Sequence, residues 1–102
     1  KLHHETTTTE TKGDGLKIAQ AILEKRLAAC VQVVGPIASM YWWKGAIETA
    51  EEWLCIVKSK REMYKELEWT IQQNHPYDVP EILATSIVAG DPEYLEWLDR
   101  EI

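Results

Sequence analysis

Nowhere in the chain do apolar residues run on for more than a few positions, so no segment is long enough to span a bilayer. The start of the chain lacks the charged, apolar and small-residue succession of a secretory signal. These two absences predict a soluble, cytoplasmic protein. Basic clusters are missing as well: Lys and Arg total 11 against 17 Asp and Glu, a formal charge of -6. Nucleic acid and anionic membrane surfaces are thereby excluded as partners.

Cysteine is scarce. Cys30 and Cys55 do not form a C-x-x-C pair, and each sits among apolar β-formers. With Lys44-Gly45 as a hairpin turn, Trp43 faces Ala46 and Cys55 falls opposite Val34. Cys30 then lies four residues further along the strand, roughly 13 Å away, too far for a disulfide unless a bulge shifts the register. Two free, buried thiols in a reducing compartment are expected. Motifs of catalysis are also absent, with no H-E-x-x-H and no G-x-S-x-G. The Gly13-x-Gly15 pair has Ile18 where a dinucleotide loop needs glycine, and Asp14 would repel a phosphate, so it reads as a turn and a helix cap.

What is present fits one domain over residues 1–102, with Lys1-Leu2-His3-His4 read as a tag remnant or disordered. Thr6 to Thr11 predicts a first strand, and Asp14 caps a helix reaching about Leu27. Leu16, Ala19, Ile22, Leu23 and Leu27 form its buried stripe. Ala29 to Val34 is a strand that bends at Gly35-Pro36 and continues through Tyr41 to Lys44, and Ile47 to Lys58 returns antiparallel. Ser59 with Glu62 reads as a capping box for a second helix carrying Met63, Leu67 and Ile71, ending near Asn74. Ile82 to Val88 is a fourth strand. Asp91-Pro92 opens a last helix with Tyr94, Leu95, Leu98 and Ile102.

Two long helices cover only one face of a four-stranded antiparallel sheet, yet Trp53 to Val57 and Tyr41-Trp42-Trp43 place apolar groups on both faces. An uncovered face of that kind calls for a partner, and self-association is the economical one.

Ala28-Ala29-Cys30-Val31, Tyr41-Trp42-Trp43-Lys44-Gly45, Lys58, the run His75-Pro76-Tyr77-Asp78-Val79-Pro80-Glu81 and Tyr94-Leu95-x-Trp97-Leu98 occur in that order. Together they resemble the CutA divalent-cation-tolerance family, over roughly residues 6–102. The resemblance implies an α+β, ferredoxin-like βαββαβ sandwich with an antiparallel sheet and a C-terminal helix. It also implies a homotrimer, a link to copper tolerance and copper(II) binding, and no established catalysis. The family's copper ligation is attributed to a first-strand cysteine and a pair of adjacent histidines. Here Thr7 and Asn74 occupy two of those places, and only His75 remains.

The candidate metal ligands are therefore His75, Cys30 and Glu81, with a neighbouring subunit supplying the rest. Lys58, Tyr77 and Asp78 are candidates for a cleft that binds a small ligand, Lys58 as the neutraliser of an anion. Tyr41, Trp42, Trp43 and Trp53 are candidates for the trimer interface. Each has a plainer reading: His75 as a helix-end residue, Lys58 as a snorkelling cation, the loop residues as packing. The alternative function is a PII-like trimeric signalling module binding a nucleotide or other anion, although the Lys44-Gly45 hairpin is too short for that module's long loop. A small-molecule enzyme using His75 and Lys58 is a third class. Members of the family make the first strand apolar, whereas His4 to Glu10 is polar here, so that strand is expected to be shifted or poorly packed, or else not native.

Overall fold

The computed structural model describes all 102 residues. In chain order the elements are β1 (Leu2–Thr9), α1 (Lys12–Glu24), β2 (Cys30–Trp43), β3 (Ala46–Lys60), a short 3-10 turn (Arg61–Met63), α2 (Tyr64–Asn74), β4 (Leu83–Ser86) and α3 (Pro92–Glu101). One antiparallel sheet with strand order β2-β3-β1-β4 makes this a ferredoxin-like α+β fold. α1 and α2 lie on one sheet face over a core of Ile18, Ile22, Leu27, Ala28, Val57, Leu67 and Ile71. On the other face Lys58 and Lys60 reach Tyr94 and Asp99, which places α3 there.

Local chemistry accounts for the element boundaries, with three corrections to expectation. Thr11, not Asp14, caps α1: its hydroxyl accepts from the Asp14 backbone N–H. Gly15, Ile18, Ala19 and Ile22 form the buried stripe of α1, while Leu16 and Leu23 are exposed, a rotation of the expected face. Ser59 does not open a helix either. It lies inside β3, fully buried, and its hydroxyl donates to the Leu27 carbonyl. At the other end of the chain the Asp91 side chain does accept from Tyr94 N–H, with Pro92 in the first turn.

β2 and β3 form the long hairpin anticipated above. Lys44 and Gly45 turn it with φ of +50° and +81°, the left-handed pair that a two-residue turn requires. Trp43 pairs with Ala46, and the register holds as far as Ile37 against Glu52. A bulge between Val34 and Ile37 then moves it by one residue, so Cys55 faces Val33 rather than Val34. Gly35 in the bulge is obligatory because the Trp53 ring lies where a side chain would begin, 2.5 Å from an added Cβ. Both cysteines are free. Cys55 is buried, its thiol pushed up to about 11 by burial, whereas Cys30 is only half-buried.

The first strand is neither shifted nor loose. β1 is an interior strand paired with β3 from Leu2 to Thr9 and with β4 from His3 to Thr6, and His3 and His4 are part of it. Threonine's β-propensity suffices once two neighbours complete the ladder. The cost of its polarity falls on Glu5 and Thr7, fully buried beneath the helices with no partner for either Glu5 oxygen or for the Thr7 hydroxyl.

Desolvation lifts the Glu5 carboxyl from its ordinary 4.5 to about 7. Between those values the unfolded chain is ionised while the folded one keeps its proton. Stability is therefore full below 4.5, falls as pH rises, and has lost its whole share above 7. That share is about 3 kcal/mol. Glu5→Val is expected to stabilise the protein, with its advantage over wild type growing by about 3 kcal/mol between pH 4 and pH 8. Denaturant unfolding at both pH values measures the difference, and an advantage independent of pH would show that Glu5 is not buried as a neutral acid.

Candidate functional site

After α2, the residues from His75 to Glu81 cross the end of β1, and the histidine holds them there. β4 stops pairing at Leu83 with Thr6, so β1 continues past it. His75 Nε2 lies 2.8 Å from the Thr8 carbonyl, while Nδ1 is 3.1 Å from the Tyr77 backbone N–H. A carbonyl only accepts and an N–H only donates, so Nε2 carries the proton and donates it to the Thr8 carbonyl, while the unprotonated Nδ1 accepts the hydrogen bond from Tyr77. The neutral ring satisfies both contacts, and burial pushes its pKa down.

Tyr77 packs against the His75 ring at 4.7 Å and sends its hydroxyl to Glu52 on β3, 2.8 Å away. Burial first and the Glu52 hydrogen bond second hold the phenol protonated well above its ordinary range. This bond ties the crossover to the hairpin. Between them opens a cleft of about 710 Å³ lined by Thr8 and Glu52 in the body, Ser39, Met40, Tyr41 and Trp43 on the hairpin, and Tyr77, Asp78, Val79 and Glu81 on the crossover.

Tyr77 and Asp78, expected at a cleft, line this one together with Glu81, expected as a metal ligand, and with Tyr41 and Trp43, expected at a subunit interface. Lys58 is not among them. It stands opposite His4 and Cys30, donates to the Tyr94 hydroxyl at 3.0 Å and lies 5.2 Å from that ring, so the cleft lacks the expected cation. Trp53 is half-buried within the subunit against Gly35, with the Lys12 ammonium 5.9 Å from its ring. Glu52 was missed. Nothing in Ala50-Glu51-Glu52 marks it; only the register with Ile37 and the Tyr77 contact put it at the site.

The chain as a whole has relatives among known proteins. Residues 4–101 match the profile of the CutA1 divalent ion tolerance protein family. The chain is 43% identical to the divalent-cation tolerance protein CutA of Thermus thermophilus over 81 residues, 79% of each chain. The chain belongs to the CutA family. It is also 42% identical over 91 residues to the chloroplastic protein CutA 1 of rice, covering 89% of this chain and 51% of that one. This chain spans about half the length of the plant and mouse CutA proteins it matches. Among solved structures, the Thermus thermophilus divalent cation tolerance protein superposes with a TM-score of 0.92 at 37% identity, over 96% of this chain and 95% of that one. The Archaeoglobus fulgidus structure, described as a periplasmic divalent cation tolerance protein CutA, gives 0.94 at 37% identity over 99% and 98%.

For a CutA chain, the question of a metal turns on His75, Cys30 and Glu81, and one subunit does not bring them together. His75 spends both ring nitrogens on backbone. Cys30 pairs with Lys58, opposite His4, which is four residues from Thr8 along β1, roughly 13 Å. Glu81 is exposed at the cleft rim, and no three His, Cys, Asp or Glu side chains converge as a ligand set anywhere in the chain. These residues do not fit a copper(II) site within a subunit.

His75 is instead a positioning residue for the crossover. His75→Ala is expected to lower unfolding stability by about 1–3 kcal/mol, the cost of stranding the Thr8 carbonyl and the Tyr77 N–H. Copper(II) affinity, measured by calorimetry on both proteins, should stay within about threefold. A tenfold or larger loss of copper affinity with stability unchanged would make His75 a ligand after all.

Proposed function

We propose that this CutA chain works as a non-catalytic homotrimer in divalent-cation tolerance, assembled through the far part of the β2–β3 hairpin. The observation that carries this reading is the exposure of that arm. Met40, Tyr41, Trp42, Trp43 and Ile47 sit on both faces of a two-stranded ribbon, with Met40 71% and Trp42 73% exposed in the isolated chain. No helix covers them, and a patch of large side chains of this kind marks an interface. The trimeric state itself rests on likeness to the family.

The hydroxyl-carboxylate pair of the cleft, Tyr77 with Glu52, holds its phenol protonated rather than activating it, and the family is named for tolerance of cations rather than for a reaction. The PII-like alternative gains no support: the hairpin ends in a two-residue turn, and the cleft holds no basic residue for a nucleotide phosphate. Free thiols at Cys30 and Cys55 support a reducing compartment such as the cytoplasm. The relatives' names include chloroplastic and periplasmic forms, so family membership alone does not choose among compartments. No helix is long and apolar enough to cross a membrane.

The arm's role is tested by the double substitution Met40→Ser and Trp42→Ser, two exposed positions on one face of β2 whose loss leaves the subunit core intact. The melting temperature of the wild type should rise with protein concentration, and that of the variant should be lower and independent of concentration. Equal, concentration-independent melting of both proteins would contradict assembly through the arm.

A further inference from the structure

β1 carries a row of polar side chains beneath the helices, where His3, Glu5, Thr7 and Thr9 alternate onto one face. Thr9 donates to the Thr11 carbonyl, whereas both Glu5 oxygens, the Thr7 hydroxyl and His3 Nδ1 are buried without a partner. Glu5 is already fully buried in the single subunit, so assembly leaves it no more exposed. Neither the arm nor the cleft uses this row.

The groups packed around Glu5 offer its charge nothing. Val57 on β3 and Ala84 on β4 stand opposite it, with Cys55 and Ser59 flanking on β3 and Ser86 on β4. The Cys55 thiol is itself held neutral by burial. α1 buries Gly15, Ile18, Ala19 and Ile22, and α2 buries Leu67, Thr70 and Ile71. Tyr64 at the start of α2 is held protonated by burial first, then by Glu68, with the Glu5 charge adding to both. His3 is the remaining titratable group on this face of β1.

We propose that α2 is a proton-controlled clamp, closed on the sheet while Glu5 is protonated and opening to hydrate the carboxylate as Glu5 ionises. α2 is the element that yields because little besides apolar burial holds it. Its N-terminus has no side-chain cap, and no salt bridge ties it to the subunit. Its one side-chain hydrogen bond to another element, from Lys25 to Thr70, is long at 3.4 Å. α1, by contrast, is capped by Thr11 and packs at Gly15 directly against Cys55 and Val33. Since α2 runs into His75, its opening also releases the crossover from the Thr8 carbonyl.

The sign follows from the two states of Glu5. Its carboxyl is at its ordinary 4.5 when hydrated and at about 7 when buried, so the open fraction rises about tenfold between pH 6 and pH 8. His75 works in the opposite sense, because its neutral form makes both of its contacts.

Amide hydrogen exchange on the full chain at pH 6 and pH 8, each rate divided by its intrinsic value, tests the clamp. Residues 68–74 and the Tyr77 amide should lose protection about tenfold from pH 6 to pH 8, while α1 and the β1–β3 ladder keep theirs. Glu5→Gln, which cannot ionise, should abolish the loss, and His3→Gln should leave it in place. An equal loss in α1 and the ladder would mean global unfolding and overturn the clamp. So would α2 protection that does not change with pH, a loss that persists in Glu5→Gln, or one that disappears in His3→Gln.

Discussion

The hairpin of β2 and β3 is far longer than anything in the subunit that can cover it. α1 has 13 residues and α2 has 11, so each helix reaches about 20 Å or less. β3 has 15 residues and extends to about 45 Å. About half of the ribbon, Ala46 to Glu52 of β3 with the β2 residues opposite, runs beyond β1 and overhangs the body, which is why the molecule measures 45 × 26 × 22 Å. On the overhang, side chains that alternate between faces meet solvent in the isolated chain, and the apolar ones there form the surface proposed above as the subunit interface. The bulge at Gly35, locked by the Trp53 ring, marks where the covered part of β2 gives way to the arm.

The cleft follows from the same overhang. Where the arm leaves the body, the crossover from α2 to β4 runs past the end of β1 and leaves a gap between itself and the hairpin. Two contacts set the width of that gap: His75 against the Thr8 carbonyl, and Tyr77 against Glu52. The histidine favours its neutral form, so it contributes stability above its unfolded pKa of about 6.5 that is lost as pH falls. Glu5 acts in the opposite sense, losing stability as pH rises towards 7. The Glu5 window runs from 4.5 to about 7 and the His75 window lies just below 6.5, so the two overlap, and in the overlap the gain from one offsets the loss from the other.

Much of the architecture was legible because it depends on local chemistry. The Lys44-Gly45 turn set the pairing of Trp43 with Ala46, and Asp91-Pro92 marked the start of α3. What depends on a distant partner was not legible. The bulge displaced Cys55 by one residue because Trp53 claims the space beside Gly35, a contact between strands. Ser59 carries the pattern of a helix cap, yet β3 extends through it because the Leu27 carbonyl needs a donor. The polar β1 suggested a misfit, but pairing on both edges holds it, and the orphaned polar atoms of His3, Glu5 and Thr7 record the strain. His75 drew attention for its ring nitrogens, and both are spent on backbone groups that a motif cannot display. Glu52 carried no signal at all.

Equilibrium sedimentation of the unmodified chain at micromolar concentration tests the central claim, that the overhanging arm is an interface and not a surface. The subunit weighs 11.8 kDa. The account predicts a single species of three times that mass that persists on dilution through the micromolar range, and a stable species of one subunit's mass would contradict it.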